Sequence, residues 1–178
     1  MKHLRELPYH FDTAPVLAEL KPDMWDAYPF RTQAAESPHR EASDIWMRYN
    51  DPANLGPAFN DQHQAIWYPV AMMLPAATLM VMDLAHSLEV SELGGVLITK
   101  VPAGKQVYPH ADRGWHAEHY EKFAVLLQGN PEQAFCYDDG EFRCEQGDAW
   151  TFNNQATHWV TNQSSSDRIT LIVCGRRH

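Results

Sequence analysis

The second half of the chain consists of short apolar segments separated by turn-forming residues, and this pattern restricts the fold more than any other feature. The segments are rich in β-branched and aromatic side chains, and Gly, Pro, Asn or Asp separates them. The predicted strands cover residues 95–101, 106–108, 123–127, 134–137, 141–144, 149–152, 158–161 and 168–173. Such a series predicts a mainly β fold, a double-stranded β-helix of the jelly-roll, cupin-like type.

The first half of the chain has a different composition, rich in Pro, Ala, Met and Trp. Its clearest helical pattern covers residues 75–88, where Pro75 suits the first turn of a helix. We therefore predict N-terminal helices packed against the β-rich core in a single domain, residues 1–178. In this scheme residues 1–93 form a helical or irregular support, and residues 94–175 form the jelly roll with its metal site.

Charge and cysteine content exclude several classes of function. A net charge of −9 argues against non-specific binding to nucleic acid, which needs a basic surface. The sequence shows neither a signal peptide nor a membrane span, so we expect a cytoplasmic protein without a membrane partner. Its three cysteines lack C-x-x-C spacing and are expected to be reduced. A disulfide between Cys136 and Cys144, which flank a predicted turn, is the alternative.

Two of the ten histidines and one aspartate have spacings that indicate a possible metal site. His110 and Asp112 are two residues apart, and such positions face the same side of a strand. His158 lies on a later predicted strand. Two histidines and one carboxylate form the facial triad of non-haem Fe(II) oxygenases, which leaves three coordination positions open.

Arg168 adds a second element to this pattern. It begins the last apolar strand, ten residues after His158. If these two strands are neighbours, its guanidinium reaches the space beside the metal, where it can bind a carboxylate through two hydrogen bonds. A keto acid with two carboxylates would then chelate the metal at one end and contact the arginine at the other, leaving one position for O₂.

Two sequence blocks carry a family resemblance. Residues 99–110 (TKVPAGKQVYPH), and residues 147–154 (GDAWTFNN) with His158, Asn162 and Arg168, resemble motifs of the aspartyl/asparaginyl β-hydroxylase family of Fe(II)/2-oxoglutarate-dependent oxygenases. The family pattern is a Gly-x-x-x-x-Phe strand, a His six residues later and an Arg ten residues after that. All three spacings hold in this chain.

The resemblance implies a role for each matching residue. His110 and His158 would bind iron, and Arg168 would bind the far carboxylate of 2-oxoglutarate. Asp112 fits the general triad of such oxygenases, although some family members lack this carboxylate. Thr99 occupies a position where the family often has a hydroxyl group in contact with the cosubstrate. Lys122 lies near the position of a family arginine and would also bind the cosubstrate. The family often has a histidine two residues after that arginine, and Ala124 occupies the corresponding position here.

The implied activity is hydroxylation of an unactivated C–H bond with Fe(II), 2-oxoglutarate and O₂, releasing succinate and CO₂. The resemblance suggests an amino acid or a peptidyl Asp or Asn side chain as substrate, so a small molecule or a peptide is the expected partner. Two alternatives stay open: a metal-binding cupin of another activity, and a jelly-roll binding module without catalysis. The sequence leaves the oligomeric state open.

Further residues could border the site. His116 and His119 have H-x-x-H spacing, but we expect solvated histidines in a loop at the mouth rather than a second metal site. Trp115 and Trp159 either wall the substrate pocket or pack in the core. Three residues could bind an acidic substrate group: His39, Arg40 and Arg48. The simpler explanation is that they are solvated polar side chains on the surface.

Overall fold

The computed structural model describes residues 1–177, and His178, which belongs to no sequence pattern, lies outside them. Within this part the helices are α1 (Ala14–Glu19), α2 (Pro75–Ser87) and α3 (Trp115–His119). The strands are β1 (Leu4–His10), β2 (Ser43–Tyr49), β3 (Ile66–Trp67), β4 (Val90–Val101), β5 (Gln106–His110), β6 (Glu121–Gln128), β7 (Gln133–Tyr137), β8 (Gly140–Phe142), β9 (Asp148–Phe152), β10 (His158–Asn162) and β11 (Arg168–Arg177). Each of the strands predicted for the second half is present, and α2 matches the predicted helix.

The strands form two antiparallel sheets. Sheet A has seven strands in the order β1-β9-β6-β11-β4-β2-β3, and sheet B has four in the order β5-β10-β7-β8. Aromatic residues of both sheets pack together between them, with the rings of Phe135 and Phe152 4.9 Å apart. The mainly β jelly-roll class predicted from the sequence is confirmed.

The first half of the chain contributes strands that the sequence pattern did not predict. β1 pairs with β9, β2 pairs with β4, and the short β3 extends sheet A beyond β2. Five of the seven residues of β2 are buried, so its side chains show no alternation of polar and apolar positions. The prediction that residues 1–93 give only a helical or irregular support is therefore corrected.

The outer face of sheet A carries the main hydrophobic core. Leu84 and Val81 of α2 and Val16 of α1 pack there with Ile98 and Leu171 from the central strands. Within the described residues, every helix is too short or too polar to span a lipid bilayer. The three cysteines are free, so the alternative of a disulfide between two of them is not realised.

The inner face of sheet A carries polar residues. Since neighbouring residues of a strand face opposite sides, Thr99 and Thr170 point away from the core that contains Ile98 and Leu171. Thr99 and Thr170 are paired across β4 and β11. Both line a cavity that also receives side chains from sheet B. The fold thus places a polar site between the two sheets.

Candidate active site

One cavity between the two sheets contains every residue that the sequence predicted for the site. It has a volume of about 510 Å³ including its mouth. Sheet B and the segment after β5 contribute the predicted metal ligands, and sheet A contributes the predicted cosubstrate residues. The predicted site residues in its lining are His110, Asp112, His158, Thr99, Lys122 and Arg168.

The two histidines face each other across neighbouring strands. His110 of β5 pairs with His158 of β10, and their ring centroids are 4.4 Å apart. His110 Nδ1 lies 2.8 Å from the carbonyl oxygen of Tyr108, and His158 Nδ1 lies 2.9 Å from that of Ala156. Because a carbonyl oxygen only accepts, each Nδ1 must carry a proton and donate it. The Nε2 lone pairs are therefore free to bind a metal, which is the usual arrangement of metal-binding histidines.

Burial keeps both rings neutral. It lowers the pKa of His158 to about 4, with the nearby His110 as the next cause. Burial likewise lowers the pKa of His110, and its hydrogen bond to the Tyr108 carbonyl offsets part of this effect. A neutral imidazole is the form that binds a metal, so both rings are in the binding form at neutral pH.

Asp112 lies just beyond the end of β5, not on the strand as the spacing argument assumed. Its backbone N–H donates to the carbonyl oxygen of Asn154 at 2.8 Å, which fixes the loop. Oδ2 accepts from Lys122 Nζ and, at 3.3 Å, from Asn154 Nδ2. Oδ1 lies 3.5 Å from His110 Nε2. The carboxylate is thus anchored through one oxygen, with the other oxygen beside the ligand atom of His110.

The charge of Asp112 is secured by Lys122. Burial by itself would raise the pKa of this carboxyl, but the charge and hydrogen bond of Lys122 outweigh burial and hold the pKa well below its usual range. Lys122 lines the cavity as predicted. Its ammonium group donates to Asp112, so it contacts the predicted metal ligand within the cavity that also contains the predicted cosubstrate residues.

Arg168 is the most unusual residue of the cavity. Only 2% of it is exposed, yet its Nε and Nη2 atoms have no hydrogen-bond partner. The Oγ1 atom of Thr99 in the same cavity is also buried without a partner. Burial lowers the pKa of Arg168, and the Cys144 thiol only partly offsets this. A buried, unpaired guanidinium is costly, and a carboxylate ligand would satisfy it.

Arg168 reaches the cavity by a different route from the one expected. From the sequence, the strands that carry His158 and Arg168 were expected to be neighbours. They belong to different sheets, because β10 lies between β5 and β7 in sheet B and β11 lies between β6 and β4 in sheet A. The guanidinium and the imidazole therefore face one cavity from opposite walls.

A third histidine lies beside the predicted ligands. Among residues 1–177, the one group of three side chains with ligand atoms all within 4.8 Å of one another is His39, His110 and Asp112. His39 Nε2, however, lies 3.4 Å from Arg31 Nη1, and a guanidinium can only donate. The lone pair of His39 Nε2 is therefore directed at Arg31, whereas the Nε2 lone pair of His158 is free.

His39 corrects one expectation directly, because it is 8% exposed and lines the cavity instead of being solvated. Arg31, which also lines the cavity, and its partner Asp44 were missed altogether. Their only local sequence signal is the polar Asp44 within an otherwise apolar segment. Their relation to the site depends on the pairing of Asp44 with Thr99 between β2 and β4, which no sequence spacing reveals.

The other border residues lie outside the cavity lining. His116 accepts the backbone N–H of Gly95, and His119 pairs with Glu92. Arg48 donates to the Leu93 carbonyl oxygen, and exposed Arg40 stacks on Tyr108 at 3.4 Å. The two tryptophans considered as pocket walls, Trp115 and Trp159, are not part of the cavity lining.

Comparison with known proteins identifies the family. The family model described as aspartyl/asparaginyl beta-hydroxylase matches residues 21–177. The chain belongs to the aspartyl/asparaginyl β-hydroxylase family. This match extends the resemblance of the two motif blocks to most of the chain, including β2 and β3 of sheet A but not β1. Family membership and fold together make the protein an enzyme of the oxygenase type. No curated protein matches the sequence.

Solved structures with the same fold include three oxygenases of low sequence identity. An oxidoreductase of the 2OG-Fe(II) oxygenase family from Burkholderia pseudomallei has a TM-score of 0.63 at 12% identity, covering 99% of this chain and 85% of that one. The viral collagen prolyl hydroxylase of Paramecium Bursaria Chlorella virus-1 scores 0.57 at 10% identity, covering 99% and 96%. A Pseudomonas putida prolyl-4-hydroxylase scores 0.51 at 16% identity, covering 99% and 94%. At these identities the likeness supports the fold of this β-hydroxylase family member.

Proposed function

We propose that the protein is an Fe(II)/2-oxoglutarate-dependent dioxygenase that hydroxylates an unactivated C–H bond and releases succinate and CO₂. The observation that carries the proposal is the buried guanidinium of Arg168, whose Nε and Nη2 atoms have no hydrogen-bond partner. It faces the same cavity as two histidines with free Nε2 atoms and an ionised aspartate. A dicarboxylic keto acid would fit such a cavity, because one end chelates a metal and the carboxylate at the other end binds a cation.

His110, Asp112 and His158 would hold the iron. Their fit rests on the donor set itself, because two neutral imidazoles and one carboxylate are the ligands that non-haem Fe(II) oxygenases use. The local carbonyl contacts orient both rings, and Lys122 with Asn154 orients the carboxylate. When bound, Fe(II) with the keto acid supplies the activation of O₂, and the protein supplies binding and orientation.

Arg168 and Thr99 would hold the far carboxylate of 2-oxoglutarate. Two donor atoms of the guanidinium and the threonine hydroxyl are buried without partners, so a carboxylate between them would satisfy all three groups. Val101 and Ile172 give the same cavity apolar walls, which exclude water and strengthen the ionic contact. Lys122 donates to Asp112, and its remaining N–H groups would also bind the cosubstrate in the same cavity.

The substrate proposal follows from family membership. The family description names aspartyl and asparaginyl side chains, so an amino acid or a peptidyl Asp or Asn side chain is the proposed substrate. Prolyl groups are a second class to test, because two structures with the same fold are described as prolyl hydroxylases. We propose no nucleic-acid or membrane partner and a cytoplasmic location.

Succinate formation tests this function. Metal-free protein is reconstituted with Fe(II) and supplied with 2-oxoglutarate, O₂ and a panel of amino acids and short peptides. We expect succinate release that rises with the correct substrate and falls by about 100-fold or more in His158→Ala, which removes a ligand. His119→Ala, a histidine outside the cavity lining, is the matched control and should keep wild-type turnover. Equal turnover in both variants would contradict the assignment.

A further inference from the structure

His39 is a buried histidine of the cavity that the iron and cosubstrate sites leave unused. It is 8% exposed, and its ring packs edge-to-face on His110 with centroids 4.6 Å apart. Its Nδ1 atom is buried and has no hydrogen-bond partner. Buried polar atoms without a protein partner are rare in folded proteins, and a ligand or an ordered water can satisfy them.

The position of the proton on His39 follows from its neighbours. Asp44 is 1% exposed and accepts two hydrogen bonds from Arg31, from Nε at 2.6 Å and from Nη2 at 2.9 Å. This pair aims Arg31 Nη1 at His39 Nε2, 3.4 Å away. A guanidinium always donates, so Nε2 accepts and the single proton of the neutral ring is on Nδ1. His39 therefore offers a buried N–H donor, which also excludes it as a metal ligand at that atom.

The charges of the cavity indicate what such a donor would meet. The cavity is lined by three cations, Arg31, Lys122 and Arg168, and by the carboxylate of Asp112. A second carboxylate, Asp44, lies behind the cavity and pairs with Arg31. One positive charge is therefore in excess. Fe(II) would add two positive charges and 2-oxoglutarate two negative ones. The loaded cavity would keep one positive charge, and Arg168 would already be occupied. A further anion in the cavity would offset this charge, and the unpartnered Nδ1–H of His39 would give it a donor.

We propose that His39, backed by Arg31 and Asp44, binds a carboxylate of the substrate through its Nδ1–H group. This inference rests on the proposed function, because it takes the iron and cosubstrate positions as given. The His39 ring contacts the His110 ring, with centroids 4.6 Å apart, and lines the same cavity, so a carboxylate held by His39 would lie close to the metal. The carboxylate belongs either to the α-position of a free amino acid or to an aspartyl side chain.

Calorimetric binding without turnover tests the inference. The protein is loaded with Mn(II) and 2-oxoglutarate in the absence of O₂ and titrated with three probes. L-Asparagine carries only the α-carboxylate, N-acetyl-L-aspartyl amide only the side-chain carboxylate, and N-acetyl-L-asparaginyl amide neither. We expect the third probe to bind at least about tenfold more weakly than the better of the first two, which also identifies the source of the carboxylate. Tenfold corresponds to about 1.4 kcal/mol, close to the low end for a hydrogen bond to a charged group.

Two variants of His39 separate donation from packing. His39→Phe keeps a ring against His110 but removes the donor, and it should weaken the carboxylate probe at least about tenfold. His39→Asn has an amide N–H close to the position of Nδ1 and should restore affinity to within about threefold. Both variants should bind 2-oxoglutarate with wild-type affinity, which shows that the cavity is intact.

Several outcomes would overturn the inference while leaving the proposed function standing. One is equal binding of the probe that carries neither carboxylate, and another is unchanged affinity in His39→Phe. A third is the failure of all three probes to bind wild-type protein that has taken up Mn(II) and 2-oxoglutarate. Failure to bind Mn(II) and 2-oxoglutarate at all would instead overturn the proposed function, and the inference with it.

Discussion

Replacing Arg168 by methionine should stabilise the protein and abolish cosubstrate binding. The residue is 2% exposed, and two of its nitrogen atoms have no partner. Each such orphaned donor costs about 1–3 kcal/mol. The Trp150 ring, 5.8 Å from the guanidinium carbon, recovers about 1–2 kcal/mol of this through a cation–π contact. Methionine fills a similar volume without a charge to desolvate.

The metal-free Arg168→Met variant should therefore gain about 1–3 kcal/mol in free energy of unfolding. For a chain of this size each kcal/mol raises Tm by about 2–4 °C. Its affinity for 2-oxoglutarate should fall by about 100-fold or more, because two charge-assisted hydrogen bonds of about 1.5 kcal/mol or more each are lost. Stability and binding thus change in opposite directions.

Urea unfolding of the metal-free protein measures the first effect, and calorimetric titration of the Mn(II)-loaded protein with 2-oxoglutarate measures the second. Arg168→Lys is the matched control: it keeps the charge but not the planar fork, so it should lose affinity without gaining stability. A methionine variant that is less stable than wild type and binds 2-oxoglutarate within about threefold of it would refute the reasoning, because Arg168 would then be a structural residue.

Three further predictions concern Asp112, His158 and the core. Lys122→Met leaves the Asp112 carboxylate buried without its cation and should lower the free energy of unfolding by about 3 kcal/mol at pH 7. Urea unfolding should show that this difference from wild type becomes smaller at lower pH, because the carboxyl group of the variant then takes up a proton. The pKa of His158 is about 4 in the folded protein against about 6.5 for an unperturbed histidine, so the unfolded state binds more protons between these values. Metal-free protein should therefore lose stability as pH falls from 6.5 to 4, and His158→Asn should reduce the slope by up to about 1.4 kcal/mol per pH unit. Leu84→Ala should cost about 3 kcal/mol because Leu84 is 0% exposed, whereas Leu79→Ala, at a position 57% exposed, should change thermal stability by less than about 0.5 kcal/mol.

The parts of the fold that the sequence predicts are those whose signal is local. β6 and β7 are bounded by turn residues, and α2 begins at a proline and runs for 13 residues. β2 could not be recognised in this way, because it is buried on both faces and shows no alternation of polar and apolar residues. Its partner β4 begins at Val90, 41 positions after the end of β2. β1 pairs with β9 across most of the chain, and no local pattern specifies such a partner.

The candidate site was likewise predicted only where its signal is local. The spacings of His110, Asp112, His158 and Arg168 are visible in the sequence, and the structure brings these residues into one cavity. The sequence could not show that Arg168 faces His158 from another sheet, because β10 and β11 follow each other directly along the chain. His39 was taken for a solvated residue because its burial depends on Arg31 and on contacts with distant segments.

The most direct test of the central claim is the visible spectrum of the anaerobic Fe(II) protein during titration with 2-oxoglutarate. Chelation of the keto acid by iron in a two-histidine, one-carboxylate site should give a weak charge-transfer band at about 500 nm. We expect wild-type protein to develop this band and His158→Ala not to. Absence of the band in wild-type protein that has bound stoichiometric Fe(II), or an undiminished band in His158→Ala, would contradict the account.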